Sequence, residues 1–130
     1  MQGGIHPHFD GETYLNICNA ITTKVPDMHI HAFSPLEITH GATSLGISIE
    51  NFLIMLKESG LKTMPGTAAE ILDDEVRKNI CPDKLNSNQW LEVIKTAHRV
   101  GIKTTSTIMF GHQEHIEHWS THLIKLRELQ

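Results

Sequence analysis

The sequence predicts an α/β fold in which parallel strands alternate with crossover helices. Apolar residues spaced by three and four, typical of amphipathic helices, alternate with short runs rich in β-branched residues, typical of strands. Three glycine-marked loops stand where strands are expected to end, at Gln2-Gly3-Gly4, Pro65-Gly66 and Phe110-Gly111. Because ligands of β/α proteins bind at the carboxyl ends of strands, these loops are candidate binding segments.

The predicted elements follow the order loop–α–β–α–β–α–β–α. Proline or glycine ends three of the helices, and Asn86 with Gln89 forms a sequence typical of a capping box. With caps and stops included, the helices cover residues 14–25, 48–60, 86–101 and 116–129. The strands cover residues 28–33, 61–64 and 102–110. Such alternation implies parallel strands, because a parallel pair needs a long crossover connection.

Two architectures fit this order of elements. A flavodoxin-like sheet is complete at about this length, whereas a closed β/α barrel needs roughly 200 residues or more. The pattern opens on a strand-end loop and stops on a helix at Leu129-Gln130. We therefore expect residues 1–130 to be the central portion of a single barrel domain that is incomplete at both ends.

Composition narrows the class of protein. The net charge of −4 gives no basic face for nucleic acid, and no apolar run has the length of a membrane-spanning helix. The first residues lack the charged and apolar regions of a signal peptide. Cys18 and Cys81 are far apart and show no metal-type spacing. Two lone thiols without an export signal predict a cytoplasmic location.

Histidines form two candidate sites. His29 and His31 are two apart on a strand and therefore face the same side, which is either a barrel lumen or a solvated strand edge. His115, His118 and His122 share one face of the last helix, a spacing compatible with a metal-binding stripe. No cysteine joins that stripe. We expect it to be solvated, because its apolar neighbours, Trp119 and Leu123 among them, define the buried side.

Two glutamates follow predicted strand ends. Glu37 comes after the strand that carries His29, and Glu70 comes after Gly66. Each is either a helix-start carboxylate stabilised by the helix dipole or a carboxylate at the rim of a ligand site. Their matching positions favour the second interpretation. The glycine-rich loops lack a phosphate-loop lysine and the dinucleotide-binding spacing, which excludes those two classes of nucleotide site.

Four segments carry a resemblance to a known family: GGIHPHFDGETY, HIHAFSPLEI, PGTAAEILDDEVR followed by CPDK, and TTSTIMFGHQE. They resemble the tyrosine-using subunits of FO synthases (the CofH type), which are radical S-adenosylmethionine (SAM) enzymes of deazaflavin and coenzyme F420 biosynthesis. The resemblance covers nearly the whole chain. Radical enzymes of futalosine-dependent menaquinone synthesis share the GGIHP-like and MFGH-type motifs, but the segment PGTAAEILDDEVR with CPDK favours the deazaflavin family.

The resemblance implies a partial radical-SAM-type (β/α) barrel, similar to a TIM barrel, and a transferase activity. In that family a [4Fe-4S] cluster reduces SAM to a 5′-deoxyadenosyl radical, which leads to cleavage of the Cα–Cβ bond of L-tyrosine. The hydroxybenzyl group joins 5-amino-6-(D-ribitylamino)uracil, and FO synthase subunit 1, separate or fused, closes the deazaflavin ring. The cluster cysteines, C-x3-C-x2-C, are expected outside this chain, because two cysteines cannot supply three thiolates. We therefore expect these 130 residues alone to be inactive.

The resemblance also assigns site residues by position. Thr107 stands where the family motif G-x-I-x-G-x-x-E has its first glycine, and Met109 stands in place of its isoleucine. The residues expected to bind SAM are Gly3, Gly4, Glu70, Thr107, Gly111 and Glu114. His29, His31 and Glu37 are expected to face the substrate. Two other hypotheses remain: a small His-rich β/α module that binds a metal, and a non-catalytic remnant.

Overall fold

A three-stranded parallel sheet, in the order β1-β2-β3, is the centre of the fold. The computed structural model describes residues 1–130 and confirms the predicted α/β class. In chain order the elements are α1 (Gly11–Lys24), β1 (Ile30–His31), α2 (Pro35–Leu45), α3 (Ile49–Glu58), β2 (Leu61–Met64), α4 (Asp74–Ile80), α5 (Ser87–Arg99), β3 (Lys103–Thr104) and α6 (Ile116–Leu129). None of the helices has both the length and the apolar character that a membrane crossing requires.

The residues before α1 add a fourth extended segment beside β1. The amino group of Met1 donates to the carbonyl of His31, and the Met1 carbonyl accepts from the Phe33 N–H at 3.1 Å. The loop at Gly3-Gly4 therefore leaves the sheet at the same edge as the loops that follow β1, β2 and β3. The three glycine-marked loops of the sequence meet at this edge, which we call the strand-end edge.

Two strands are shorter than predicted, although β2 matches its predicted range. The strand predicted over residues 28–33 is a regular strand only at Ile30–His31, and the one predicted over 102–110 only at Lys103–Thr104. Beyond β3 the chain bonds to the loop after β2: the Met109 N–H donates to the Glu70 carbonyl at 2.9 Å. The apolar residues of 105–110 thus lie in a loop of the strand-end edge.

Two helices, α2 and α4, are missing from the predicted order. A glycine and several β-branched or small polar residues weaken the intrinsic helix propensity of α2. Tertiary packing compensates, since Gly41 lets the Phe52 ring of α3 approach so closely that an added Cβ would lie 2.5 Å from it. Ser34 and Glu37 form a capping box at its start, a signal that the sequence already contained. Asp73 caps the short α4.

Burial alternates along β1 and separates the two faces of the sheet. Ile30 and Ala32 are buried in the main apolar cluster, which the helices cover. His29 is exposed and His31 half-buried, so their side chains lie on the face opposite the helices. That face also carries Thr63, which both imidazoles contact. The helices thus form one layer and leave the other side of the sheet open.

Arg77 is a buried cation that joins the loop after β2 to the loop before α5. Its side chain is 3% exposed. The guanidinium donates to the carbonyls of Ala68 and Ile71 at 3.3 and 3.4 Å, and also to those of Ala69 and Leu85. Four carbonyls without partners in a helix or strand are satisfied by one side chain whose planar fork presents five N–H groups.

Replacing Arg77 should therefore destabilise the fold severely. We expect Arg77→Met to lower the free energy of unfolding by about 3 kcal/mol, because it leaves buried carbonyls unsatisfied and removes charge-assisted hydrogen bonds. The matched control is Lys78→Met on the exposed side of α4, which should change stability by less than about 0.5 kcal/mol. Urea denaturation of the three proteins measures both values. Equal midpoints for Arg77→Met and the wild type would refute this role.

Candidate functional site at the strand-end edge

Backbone strain is concentrated at the strand-end edge. Only three residues other than glycine have left-handed backbone, Phe33 (φ 64°), Ala68 (φ 58°) and Glu70 (φ 46°). All three lie in the loops that follow β1 and β2. Such a conformation costs about 1–3 kcal/mol per residue and persists where the surrounding structure enforces it, often at ligand sites. The distribution of strain therefore agrees with the glycine loops in making this edge the candidate functional site.

The loops after β2 and β3 are bonded to each other. The Gly66 N–H donates to Thr105 Oγ1 at 3.3 Å, and Thr107 Oγ1 donates to the Gly66 carbonyl at 3.2 Å. A Cβ at Gly66 would lie 1.9 Å from the Thr105 carbonyl oxygen, so only glycine permits this approach. Thr107 contributes its hydroxyl to this contact.

Glu37 anchors the Gly3-Gly4 loop. Its carboxylate is buried, with Oε1 accepting from the Gly3 N–H at 2.8 Å. Oε2 accepts from both the N–H and the hydroxyl of Ser34 at 2.7 Å. Gln2 Nε2 donates to Thr67 Oγ1 at 2.7 Å and ties the same loop to the loop after β2. Glu37 is thus a helix-start carboxylate with both oxygens engaged, and its contact with a substrate stays a prediction.

Glu70 and Glu114 are both at the predicted edge, but each is already engaged by its surroundings. Lys84 Nζ lies 2.8 Å from Glu70 Oε1 in a partly enclosed ion pair. Glu114 closes its own loop: it accepts from the Gly111 and His112 N–H groups and from Trp119 Nε1 at 2.9 Å. Desolvation opposes ionisation of Glu114, but the hydrogen bonds from Gly111 and His112 outweigh it and lower its pKa to about 2. Glu114 is therefore an ionised carboxylate that shapes the loop.

His29 and His31 converge on one hydroxyl. His29 Nε2 and His31 Nδ1 each lie 2.8 Å from Thr63 Oγ1. The prediction that both imidazoles share one side of the strand is confirmed by this contact. Sequence analysis did not single out Thr63, because only the pairing of His31 with Thr63 in the sheet brings it between the two rings.

The last helix is oriented differently from the prediction. Trp119 and Leu123 are 36% and 57% exposed, whereas His122 is fully buried, so the expectation of a solvated face holding His122 was wrong. His122 Nδ1 accepts from the Leu72 N–H at 3.0 Å, and Lys125 Nζ donates to the Leu72 carbonyl at 2.6 Å. Because Leu72 lies in a loop without a sheet partner, a polar residue of α6 must satisfy its backbone.

The surroundings of His122 favour a neutral ring. Burial lowers the pKa of His122, and the positive charges of Arg77 and Lys125 lower it further. Asp74 is a negative charge that interacts with both of these cations. Burial opposes its ionisation, but hydrogen bonds from Ser87 and the charges of Lys125 and Arg77 leave the pKa of Asp74 lowered. A neutral His122 can accept the Leu72 hydrogen bond, whereas a protonated Nδ1 cannot.

Folding stability should therefore decrease in mild acid. Since the pKa of His122 is lowered in the folded state, its contribution is complete above the ordinary imidazole pKa of about 6.5 and is lost as the pH falls from that value through the lowered pKa of the folded state. His122→Gln keeps an acceptor for Leu72 but does not titrate, so its Tm should fall by a few degrees less than that of the wild type between about pH 7.5 and 5. His8→Gln, at an exposed position before α1, should keep the wild-type slope. Identical slopes in all three proteins would contradict a buried neutral His122.

The cysteines do not provide a site for an iron–sulfur cluster. Cys18 and Cys81 are both buried and unpaired, and burial raises the pKa of the Cys18 thiol to about 11. The pKa of Cys81 is also raised, again mainly by burial. No three His, Cys, Asp or Glu side chains of the chain lie together in an arrangement that could hold a metal ion. The metal-module hypothesis therefore has no supporting site among the histidines of α6.

The backbone of the strand-end edge leaves room for an organic ligand. Gly4 (φ 67°) and Gly111 (φ 91°) both have left-handed backbone, and a Cβ built on either glycine meets no atom within 4 Å. A bound group can thus approach the main chain at two of the three glycine loops. With the strained loop at Ala68 and Glu70 between them, these segments fit a ligand that contacts several strand ends, as in β/α proteins generally.

The structure is a parallel sheet that helices cover on one face, with strained and glycine-rich loops at its carboxyl edge. These features are those of part of a ligand-binding β/α domain. The domain belongs to the radical SAM superfamily, whose family model matches residues 3–125. Chemistry in that superfamily uses SAM and an iron–sulfur cluster.

Similar proteins are found across the whole chain. The sequence is 52% identical over 130 residues to the FO synthase of Streptomyces coelicolor. It is 53% identical over 134 aligned positions to 5-amino-6-(D-ribitylamino)uracil–L-tyrosine 4-hydroxyphenyl transferase 2 of Methanococcus maripaludis, and 47% identical to the corresponding transferase of Methanocaldococcus jannaschii. The chain spans 15% of the length of the first relative and 37% of each of the other two.

Proposed function

We propose that this chain is part of a radical SAM transferase of FO biosynthesis, the route to coenzyme F420. The reaction is cleavage of the Cα–Cβ bond of L-tyrosine and transfer of its hydroxybenzyl group to 5-amino-6-(D-ribitylamino)uracil. The observation that carries this proposal is identity of about one half, along the entire chain, to proteins that bear these names. The open face and strand-end edge of the sheet support it, because they leave space for both a cofactor and a substrate.

SAM would bind along the strand-end edge. Gly3 and Gly4 would meet its aminocarboxylate through the main chain, and Glu70 would meet the ribose hydroxyls. The loop from Thr107 through Gly111 to Glu114 would lie beside the adenine. Bound SAM supplies the radical chemistry of the superfamily. In this arrangement Glu37 and Glu114 act by holding the Gly3 and Gly111 loops in place, as their hydrogen bonds to those backbones indicate.

The partner activity closes the deazaflavin ring and belongs to the other FO synthase subunit. The covered shares of 15% and 37% mean that the Streptomyces relative is more than twice as long as the Methanococcus one. This difference fits an arrangement in which the two activities are fused in some relatives and separate in others. Two free, buried thiols fit a reducing compartment, so we place the protein in the cytoplasm.

His29 and His31 would handle protons of the substrate. Both imidazoles lie on the open face of the sheet, and each has one ring nitrogen at Thr63 and a second nitrogen free to face a ligand. Tyrosine carries an amine and a phenol that exchange protons during cleavage and transfer. An imidazole is suited to this task because it titrates close to neutral pH.

The full-length protein that contains this chain provides the test. Under anaerobic conditions, with SAM, tyrosine and the diaminouracil, it should form the hydroxybenzyl adduct together with 5′-deoxyadenosine. His29→Gln and His31→Gln should each reduce adduct formation about 10²-fold, the effect expected for a lost acid–base group, while SAM binding is retained.

His98→Gln is the matched control, since His98 bonds to Thr104 on the helix-covered side of the sheet. It should leave adduct formation within about threefold of the wild type. If the unaltered protein makes 5′-deoxyadenosine with tyrosine but no adduct, the transferase assignment is wrong. If both strand variants form adduct at the wild-type rate, the transferase assignment stands and the histidines are structural.

A further inference from the structure

Thr63 lies between two imidazoles that share its hydroxyl. His29 Nε2 and His31 Nδ1 are each 2.8 Å from Oγ1, and no other polar atom bonds to this oxygen. A threonine hydroxyl has one proton to donate and lone pairs to accept. When both rings are neutral, the hydroxyl therefore donates to one imidazole and accepts an N–H from the other. The tautomers of the two histidines are linked through this one atom.

We propose that Thr63 couples His29 and His31 into a single proton-relaying unit of the substrate site. This inference rests on the proposed function for its role in catalysis, although the coupling itself does not. A proton taken up at Nδ1 of His29 releases the Nε2 proton to Thr63 Oγ1. The hydroxyl passes its own proton to Nδ1 of His31, which gives up the proton at Nε2. One proton enters, one leaves, and no electrons are transferred.

The backbone fixes this geometry. His31 and Thr63 are register partners in the parallel ladder, and His29 stands two residues before His31 on the same face. Two charged groups belong to residues that adjoin the unit: Lys103 is the register partner of Thr63 on β3, and the amino group of Met1 bonds to the His31 carbonyl. Neither of them hydrogen-bonds to the imidazoles. Thr63 is thus a positioning residue that acts through two candidate acid–base groups.

Three variants separate coupling from simple support of the fold. Thr63→Val removes the hydroxyl but keeps the shape, and Thr63→Ser restores a hydroxyl. Thr104→Val is the matched control, because Thr104 Oγ1 bonds to His98 Nε2 at 2.9 Å and does not contact His29 or His31. The ring-nitrogen NMR shifts of the full-length protein, labelled with ¹⁵N-histidine, report the tautomers directly at about pH 8.5, where ordinary imidazoles are neutral.

In the wild type and in Thr63→Ser, His29 and His31 should show complementary tautomers at the nitrogens that face residue 63, one N–H and one unprotonated. In Thr63→Val this complementarity should disappear, and in Thr104→Val only the His98 signals should move. Unchanged His29 and His31 signals in Thr63→Val would overturn the coupling, whether or not the transferase assignment is correct.

A second experiment measures turnover of the full-length enzyme. Thr63→Val should lower adduct formation by about tenfold or more without changing SAM affinity, and Thr63→Ser should recover most of the lost rate. If Thr63→Val loses the coupling in the NMR experiment but forms adduct at the wild-type rate, the proposed relay is wrong. A wild-type enzyme that forms no adduct would instead reject the proposed function, and the NMR arm would still decide the coupling.

Discussion

The strand-end edge depends on the buried guanidinium of Arg77. The loop after β2 contains two left-handed residues, Ala68 and Glu70, and four carbonyls in and near it have no ladder or helix partner. Without Arg77 those carbonyls would have to turn to water, and the strained backbone would relax. The position of Glu70 follows from this one side chain. The position of the loop after β3 follows as well, because the Met109 N–H of that loop bonds to the Glu70 carbonyl.

The short strands determine where the candidate site residues lie, although each strand is only two to four residues long. Alternation along β1 puts Ile30 in the core and both neighbouring histidines on the open face. Parallel pairing then places Thr63 between the imidazoles and brings the glycine loops to one edge. Glu37 and Glu114 complete the arrangement, because each gives its carboxylate to the backbone of a glycine loop. The site therefore consists mainly of main chain held by buried polar side chains.

The fold class and most helices could be predicted from the sequence because local signals specify them. Pro26, Gly60 and Gly101 stand at the ends of α1, α3 and α5 as expected. The orientation of α6 could not be predicted from its apolar stripe, which includes Trp119. It depends on the Leu72 N–H, which needs an acceptor from α6 and is placed beside that helix only by the tertiary structure. Thr63 was missed because sheet pairing brings the histidines to it from about thirty residues away. Arg77 was missed because the loop carbonyls that it satisfies leave no signal in the sequence. The capping box at Ser34 and Glu37 was visible in the sequence and would have identified α2.

Hydrogen–deuterium exchange of the full-length protein with and without saturating SAM tests the central claim most directly, namely that the strand-end edge is the ligand-binding edge of this radical SAM protein. Binding should slow exchange at the backbone amides of residues 3–4, 66–70 and 107–111 together. The amides of α1 and α3, on the covered side of the sheet, should exchange as before. Protection confined to those helices, or absent from all three loops while SAM is bound, would contradict the assignment of this edge.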